Sequence, residues 1–101
     1  MAAIKPTHPG EILREEFLKP MGISAYRLAK DIQVPLNRIT AITKEQRAIS
    51  SETALLLSRY FGLSDHLWAN LQSHYDVECA KDKLKHKLRQ VDTCEFVENR
   101  T

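Results

Sequence analysis

Residues 25–47, AYRLAKDIQVPLNRITAITKEQR, constrain the fold most, because one proline divides two short helical patterns. Ser24 is suited to N-cap the first, its hydroxyl accepting a free backbone N–H. Leu28, Ala29 and Ile32 then share one face at helical spacing. Pro35 cannot donate a backbone N–H and pre-sets φ, so it marks the break and the start of the second helix. There Ile39 and Ile42 are expected to point inward, with Asn37, Arg38, Thr40, Ala41 and Lys44 outward. Ala29 allows the two helices to cross closely, and Val34 is placed to plug the turn. This spacing suits a helix-turn-helix, whose second helix enters the DNA major groove. It suits a plain helical hairpin inside a small bundle equally well.

The rest of the chain reads as scaffold for that pair. His8-Pro9-Gly10-Glu11 opens a first helix, with Pro9 in its first turn and Glu11 near the positive end of its dipole. Ile12, Leu13, Phe17 and Leu18 form its apolar side, Arg14, Glu15, Glu16 and Lys19 face water, and Pro20 and Gly22 are expected to stop it. Ser50 is expected to cap a fourth helix closed by Gly62 in a left-handed conformation. Ala54, Leu57 and Phe61 share one face of it, and Leu56 and Tyr60 another, together the main floor of the core. A fifth helix is expected after Ser64, with Asp65 in its first turn and Leu67, Trp68, Leu71 and Tyr75 along it. Trp68 is read as core or protein interface, not as a base-stacking residue. Over residues 76–91, Val77, Ala80, Leu84, Leu88 and Val91 recur at spacings of three and four among Lys81, Lys83, Lys85, Lys87 and Arg89. That pattern describes a sixth helix lying on the domain with a solvated basic side, or one that pairs with a second subunit or another protein.

These elements divide the chain into an N-terminal arm (1–7, with Ile4 docking), a domain over 8–76, and a C-terminal helix with a frayed tail (77–101). A length of 101 residues suits one modest core. The longest apolar runs fall short of the ~20 residues a membrane span needs, and the N-terminus does not read as a secretory signal. A cytoplasmic location follows as the expectation, with Cys79 and Cys94 reduced and in or near the core. Net charge is +2, with eight lysines and arginines against five acids in residues 1–50 and seven against eight beyond. The basic excess thus lies with the helix pair, weakly compatible with phosphate binding. His8, His66, His74 and His86 make no metal-ligand spacing, and the chain has no glycine-rich phosphate loop. No Ser, His and acid arrangement stands out either. We therefore expect neither an enzyme nor a bound cofactor or metal.

Four segments, in order, carry a resemblance: HPGEILREEFLKPMGIS at 8–24, PLNRITAI at 35–42, RAIS at 47–50, and TALLLSRYFG…LWANLQSHYDV from 53 to 77. Together they resemble the HigA-type antitoxins of the lambda-repressor-like (XRE) helix-turn-helix group, some labelled virulence-associated protein I. The resemblance implies an all-α fold: a lambda-repressor-like five-helix domain with a helix-turn-helix, plus the C-terminal helix. It further implies a homodimer on a palindromic operator of double-stranded DNA in the protein's own promoter. A RelE-like ribonuclease toxin of the HigB type is the implied partner, with autorepression of the pair. A stand-alone repressor, or a protein-binding module that has lost DNA binding, are the competing readings.

Carried over by position, Leu36 and Asn37 lead the recognition helix, with Thr40, Ala41 and Lys44 further along its outer side. Asn37 is suited to an adenine edge, Thr40 to a base or phosphate, and Leu36 or Ala41 to a thymine methyl. Arg38, Lys44, Arg47 and, on the preceding helix, Arg27 suit phosphates. Similar sequences usually have glycine where Gln33 stands, which predicts a strained or reshaped turn. They also favour Gly-Lys in place of Glu45-Gln46, a change that removes positive potential beside the phosphates. Weaker binding or a shifted register is the expectation from that change.

Overall fold

Why the chain turns where it does is visible at the four helix ends that share one closure. The computed structural model describes residues 5–95, so the docking expected of Ile4 and the tail at 99–101 lie outside the described residues. The first helix, α1, comprises Pro9–Ile12, a π-helical stretch Leu13–Leu18 and a last turn Lys19–Met21. The other five are α2 (Ala25–Ile32), α3 (Leu36–Thr43), α4 (Ser51–Tyr60), α5 (Leu67–Lys83) and α6 (Lys85–Gln90). The fold is all-α, and no strand occurs among the described residues.

Helices α1, α2, α3 and α4 each end in a left-handed residue, at Gly22 (φ 64°), Gln33 (φ 61°), Glu45 (φ 62°) and Gly62 (φ 69°). Around each, two backbone N–H groups turn back onto the last turn. At α2 they are Gln33 to Lys30 (3.3 Å) and Val34 to Ala29 (3.0 Å). At α3 they are Glu45 to Ile42 (2.9 Å) and Gln46 to Ala41 (2.9 Å). This is the Schellman closure, which favours glycine because other residues clash there between Cβ and carbonyl. Gln33 and Glu45 adopt it regardless. The turn at Gln33 is therefore strained in conformation but not reshaped.

Pro20 does not stop α1, contrary to the sequence expectation; the chain stays helical to Met21, and Gly22 ends it. Pro20 has no N–H with which to close an α turn on the Glu16 carbonyl, and its ring would strike that carbonyl. The wider π register just before it, where the Lys19 N–H reaches back to Arg14, accommodates the proline.

Packing follows the predicted stripes on α1, α2, α3 and one face of α4, although Arg14, expected to face water, is half-buried. Leu13, Leu18, Leu28, Ala29, Ile32, Ile39, Ile42, Ile49, Ala54, Leu57 and Trp68 form the buried core. Trp68 is fully buried beside Phe17, at 5.1 Å between ring centroids, and Phe17 in turn packs on Phe61 at 4.8 Å. Its place is core, not interface. On α4 only one of the two expected faces is buried, since Leu56 is exposed. Asp65 lies in the turn before α5, where it pairs with Arg59 at 3.0 Å, not in the helix.

α5 continues through Asp76 and Val77 and breaks at Leu84 (φ −99°, ψ 13°), so no separate helix starts at residue 76. Its distal half and α6 stand away from the core. Val77, Leu84, Leu88 and Val91 are all exposed, which excludes the reading in which this segment lies on the domain. The projection shows in a radius of gyration of 17.3 Å, against about 13 Å for a compact chain of this length. Cys94 is exposed, not near the core as expected, and Cys79 is half-buried; both are free thiols.

Candidate nucleic-acid interface

α3 is held from beneath and from its C-terminal end. Ile39 and Ile42 are fully buried under it, which fixes its opposite side outward. Pro35 serves as N-cap, one position earlier than expected, with an extended backbone (φ −60°, ψ 142°). Lacking a side-chain acceptor, it provides no cap hydrogen bond to the first turn of α3.

At the other end α1 bears directly on the α3 backbone. A Cβ on Gly10 would lie 1.7 Å from the Ile42 carbonyl oxygen, so only glycine fits there. His8, 6% exposed, caps α1 by accepting the Gly10 N–H on Nδ1 at 2.8 Å, and packs edge-on against Tyr75. Burial holds the His8 imidazole below its ordinary pKa, opposed by the nearby Glu45 and Asp76 carboxylates. One turn on, Arg14 donates to the Thr43 carbonyl and pairs with Glu45 at 3.5 Å and Glu15 at 2.8 Å. From α5, Gln72 accepts the Ile49 N–H at 2.8 Å and donates to Asp76 at 2.9 Å, bracing the loop that follows α3. Sequence reasoning assigned no positioning role to His8, Gly10, Arg14 or Gln72. Each lies within a quoted motif, but its contact is made across the fold and leaves no periodic signal.

The eight residues read as DNA-facing fall into three environments. Leu36, Asn37, Lys44 and Arg47 are exposed. Thr40 and Ala41 are half-buried on the same helix, and the Thr40 hydroxyl donates to the Asn37 carbonyl at 3.2 Å, leaving its lone pairs as acceptors. Arg38 is half-buried, its Nε buried with no hydrogen-bond partner among the described residues. Arg27 is exposed but engaged, 3.4 Å from Asp31, which also accepts the Tyr60 hydroxyl at 2.6 Å. That hydrogen bond holds the Tyr60 phenol above its ordinary pKa. The result is a row of two apolar groups, one amide, one hydroxyl and four cations on and beside one helix. Such a row can read base edges and touch phosphates.

Among the described residues other chemistry finds no comparable arrangement. An open groove of about 510 Å³ between α2 and α4 is lined by Asp31, Ile32, Gln33, Leu56, Arg59 and Tyr60; its one hydroxyl–carboxylate pair, Tyr60 on Asp31, holds the phenol proton more tightly than usual, the opposite of an activated nucleophile. Among the described residues no three His, Cys, Asp or Glu side chains group as metal ligands.

Comparison with known proteins agrees with this geometry. Residues 14–68 match the family described as Helix-turn-helix. Virulence-associated protein I of Dichelobacter nodosus is 55% identical over 74 residues, 73% of this chain and 68% of that one. The Pseudomonas aeruginosa antitoxin HigA, solved with the higBA promoter, superposes with a TM-score of 0.82 at 39% identity, covering 89% of this chain and 98% of that one. A further Pseudomonas aeruginosa structure, of PA4674 in complex with its 18-base-pair operator DNA, gives a TM-score of 0.86 at 37% identity, over 92% and 99% of the two chains.

Proposed function

Because this chain belongs to the helix-turn-helix family, in the branch of virulence-associated protein I and HigA, we propose that it is a DNA-binding antitoxin that represses its own operon. The observation that carries this reading is the exposure of Leu36, Asn37 and Lys44 on a helix whose other side is locked by Ile39 and Ile42. Asn37 reads an adenine edge, and Leu36 or Ala41 meets a thymine methyl. Thr40 accepts from a base donor, or donates to a phosphate by giving up its bond to the Asn37 carbonyl. Lys44 and Arg47 neutralise phosphates, with Arg38 and Arg27 adding to them once freed from their intramolecular surroundings.

A palindromic operator needs two copies, with recognition helices about one DNA turn, ~34 Å, apart. The exposed apolar side chains Val77, Leu84, Leu88 and Val91, all on the segment that projects from the core, support a homodimer, since apolar groups gathered in this way are normally covered. Residues 8–76 then serve as the DNA-binding domain and 77–101 as the pairing segment, with 1–7 an arm. That division is one of task and not of chain, because α5 runs through it. The partner is a HigB-type, RelE-like ribonuclease toxin held inactive in the complex, in the cytoplasm.

Copurification of the chain with the product of its neighbouring gene, followed by titration against its own upstream DNA, tests both halves. A stoichiometric complex that shifts this DNA with strong salt dependence is the expected result. DNA binding without a toxin partner leaves a stand-alone repressor. A toxin complex indifferent to DNA leaves a protein-binding module.

A further inference from the structure

Glu45 is an anomaly in a DNA-facing loop. It places a carboxylate between Lys44 and Arg47, the two most exposed cations near the end of α3, in a backbone conformation that disfavours any side chain. A free carboxylate there would pair with either cation and repel approaching phosphates. The structure shows Glu45 otherwise engaged. Its Oε2 lies 3.5 Å from Nη2 of Arg14, while Nη1 of the same guanidinium donates to the Thr43 carbonyl. Thr43 is the last residue of α3, and the Schellman bonds at Ile42 and Ala41 leave its carbonyl unused. Arg14 thus joins the end of α3 and the following carboxylate in one fork, a two-pronged geometry that lysine lacks. Glu15 accepts from Nε at 2.8 Å and is itself held by Lys19 at 2.8 Å, so the guanidinium is fixed from a third side.

We propose that Arg14, from outside the helix-turn-helix pair, is a positioning residue for DNA binding: it draws the Glu45 carboxylate onto α1 and so keeps Lys44 and Arg47 free for phosphates. The inference rests on the DNA-binding reading above. It differs from a purely structural role in a specific way. A structural arginine is missed equally whatever stands at position 45, whereas a guard against Glu45 is missed only while the carboxylate is present.

Four proteins settle it: wild type, Arg14→Met, Glu45→Gln and the double variant, each titrated against the protein's own upstream duplex over a range of salt. Arg14→Met is expected to weaken binding about three- to ten-fold and to flatten the salt slope, as Lys44 and Arg47 are drawn to the released carboxylate. Glu45→Gln alone binds as wild type or tighter, and in its presence Arg14→Met costs less than about two-fold. Arg14→Gln replaces Arg14→Met if the methionine variant does not fold. Equal losses from the Arg14 change in both backgrounds overturn the inference while leaving the DNA reading intact. A wild type that ignores its upstream DNA overturns both.

Discussion

Gly10 lies so close to Ile42 that a methyl group at its α-carbon would sit 1.7 Å from the Ile42 carbonyl oxygen. The start of α1 therefore presses on the backbone of α3, and the orientation of the helix read as DNA-facing depends on a missing side chain. The neighbour is backbone and not a flexible side-chain tip, so it cannot step aside. Gly10→Ala should cost about 3 kcal/mol, the upper part of the overpacking range. A melting temperature lower by at least about 12 °C is the corresponding readout. A variant melting within a degree of wild type would show that the contact relaxes freely.

Gln33 offers the opposite experiment. It holds a left-handed backbone at the end of α2 without making a hydrogen bond through its side chain among the described residues. Gln33→Gly removes the Cβ clash and is expected to stabilise the fold by about 0.5–1 kcal/mol, net of the extra freedom glycine gains when unfolded. The urea midpoint should rise with no change in slope. A lower midpoint would mean that the side chain contributes more than its backbone strain costs.

The buried cap at His8 gives the domain a pH dependence. Its folded pKa is lowered by burial, so the unfolded chain binds the proton more readily. Stability is complete above the unfolded value near 6.5 and falls as pH drops toward the folded value. Protonation also removes the Nδ1 lone pair that accepts the Gly10 N–H. His8→Asn keeps an acceptor that does not titrate, and its stability should be flatter than wild type as pH falls below about 6.5. Identical slopes for the two proteins in that window would exclude His8 as the source.

The exposed apolar side chains of the projecting segment predict an oligomer without predicting a change in the core. Leu88 is 49% exposed and lies outside the buried cluster. Leu88→Asp should leave the helical signal of the domain intact while sedimentation shifts from dimer to monomer. It should also weaken DNA binding, since two half-sites are then met by separate chains. A dimer that survives this change places the pairing surface elsewhere.

Much of this was legible in the sequence because it is periodic or local. The buried faces at Leu28, Ala29, Ile32, Ile39 and Ile42 repeat at helical spacing, and the caps at Ser24 and Ser50 and the stop at Gly62 are set by single residues. Motif likeness supplied the left-handed demand at Gln33 and drew attention to Glu45. Contacts between distant segments were not legible: Gly10 against Ile42, Arg14 against Thr43 and Glu45, and Gln72 against Ile49 are 23 to 32 residues apart. The π stretch that carries α1 past Pro20 was also hidden, because proline rules describe the α register alone. Among the nominated side chains, exposure separates Asn37 and Lys44 from the half-buried Arg38, a distinction that composition does not carry.

Phosphate and base contacts should separate by their response to salt and sequence. Lys44, exposed at the C-cap of α3, is read as a phosphate ligand. Lys44→Ala should weaken binding to all duplexes alike and reduce the salt slope by about one. A sequence-dependent loss would move Lys44 into the base-reading set.

Asn37 gives the most direct test of the central claim, that the leading side chains of α3 read base edges. Wild type and Asn37→Ala are titrated against the upstream duplex and a set of its single base-pair variants. Asn37→Ala is expected to cost about 1–3 kcal/mol on the native duplex and to lose discrimination at one position in each half-site. A loss uniform across all duplexes, or none, would contradict it.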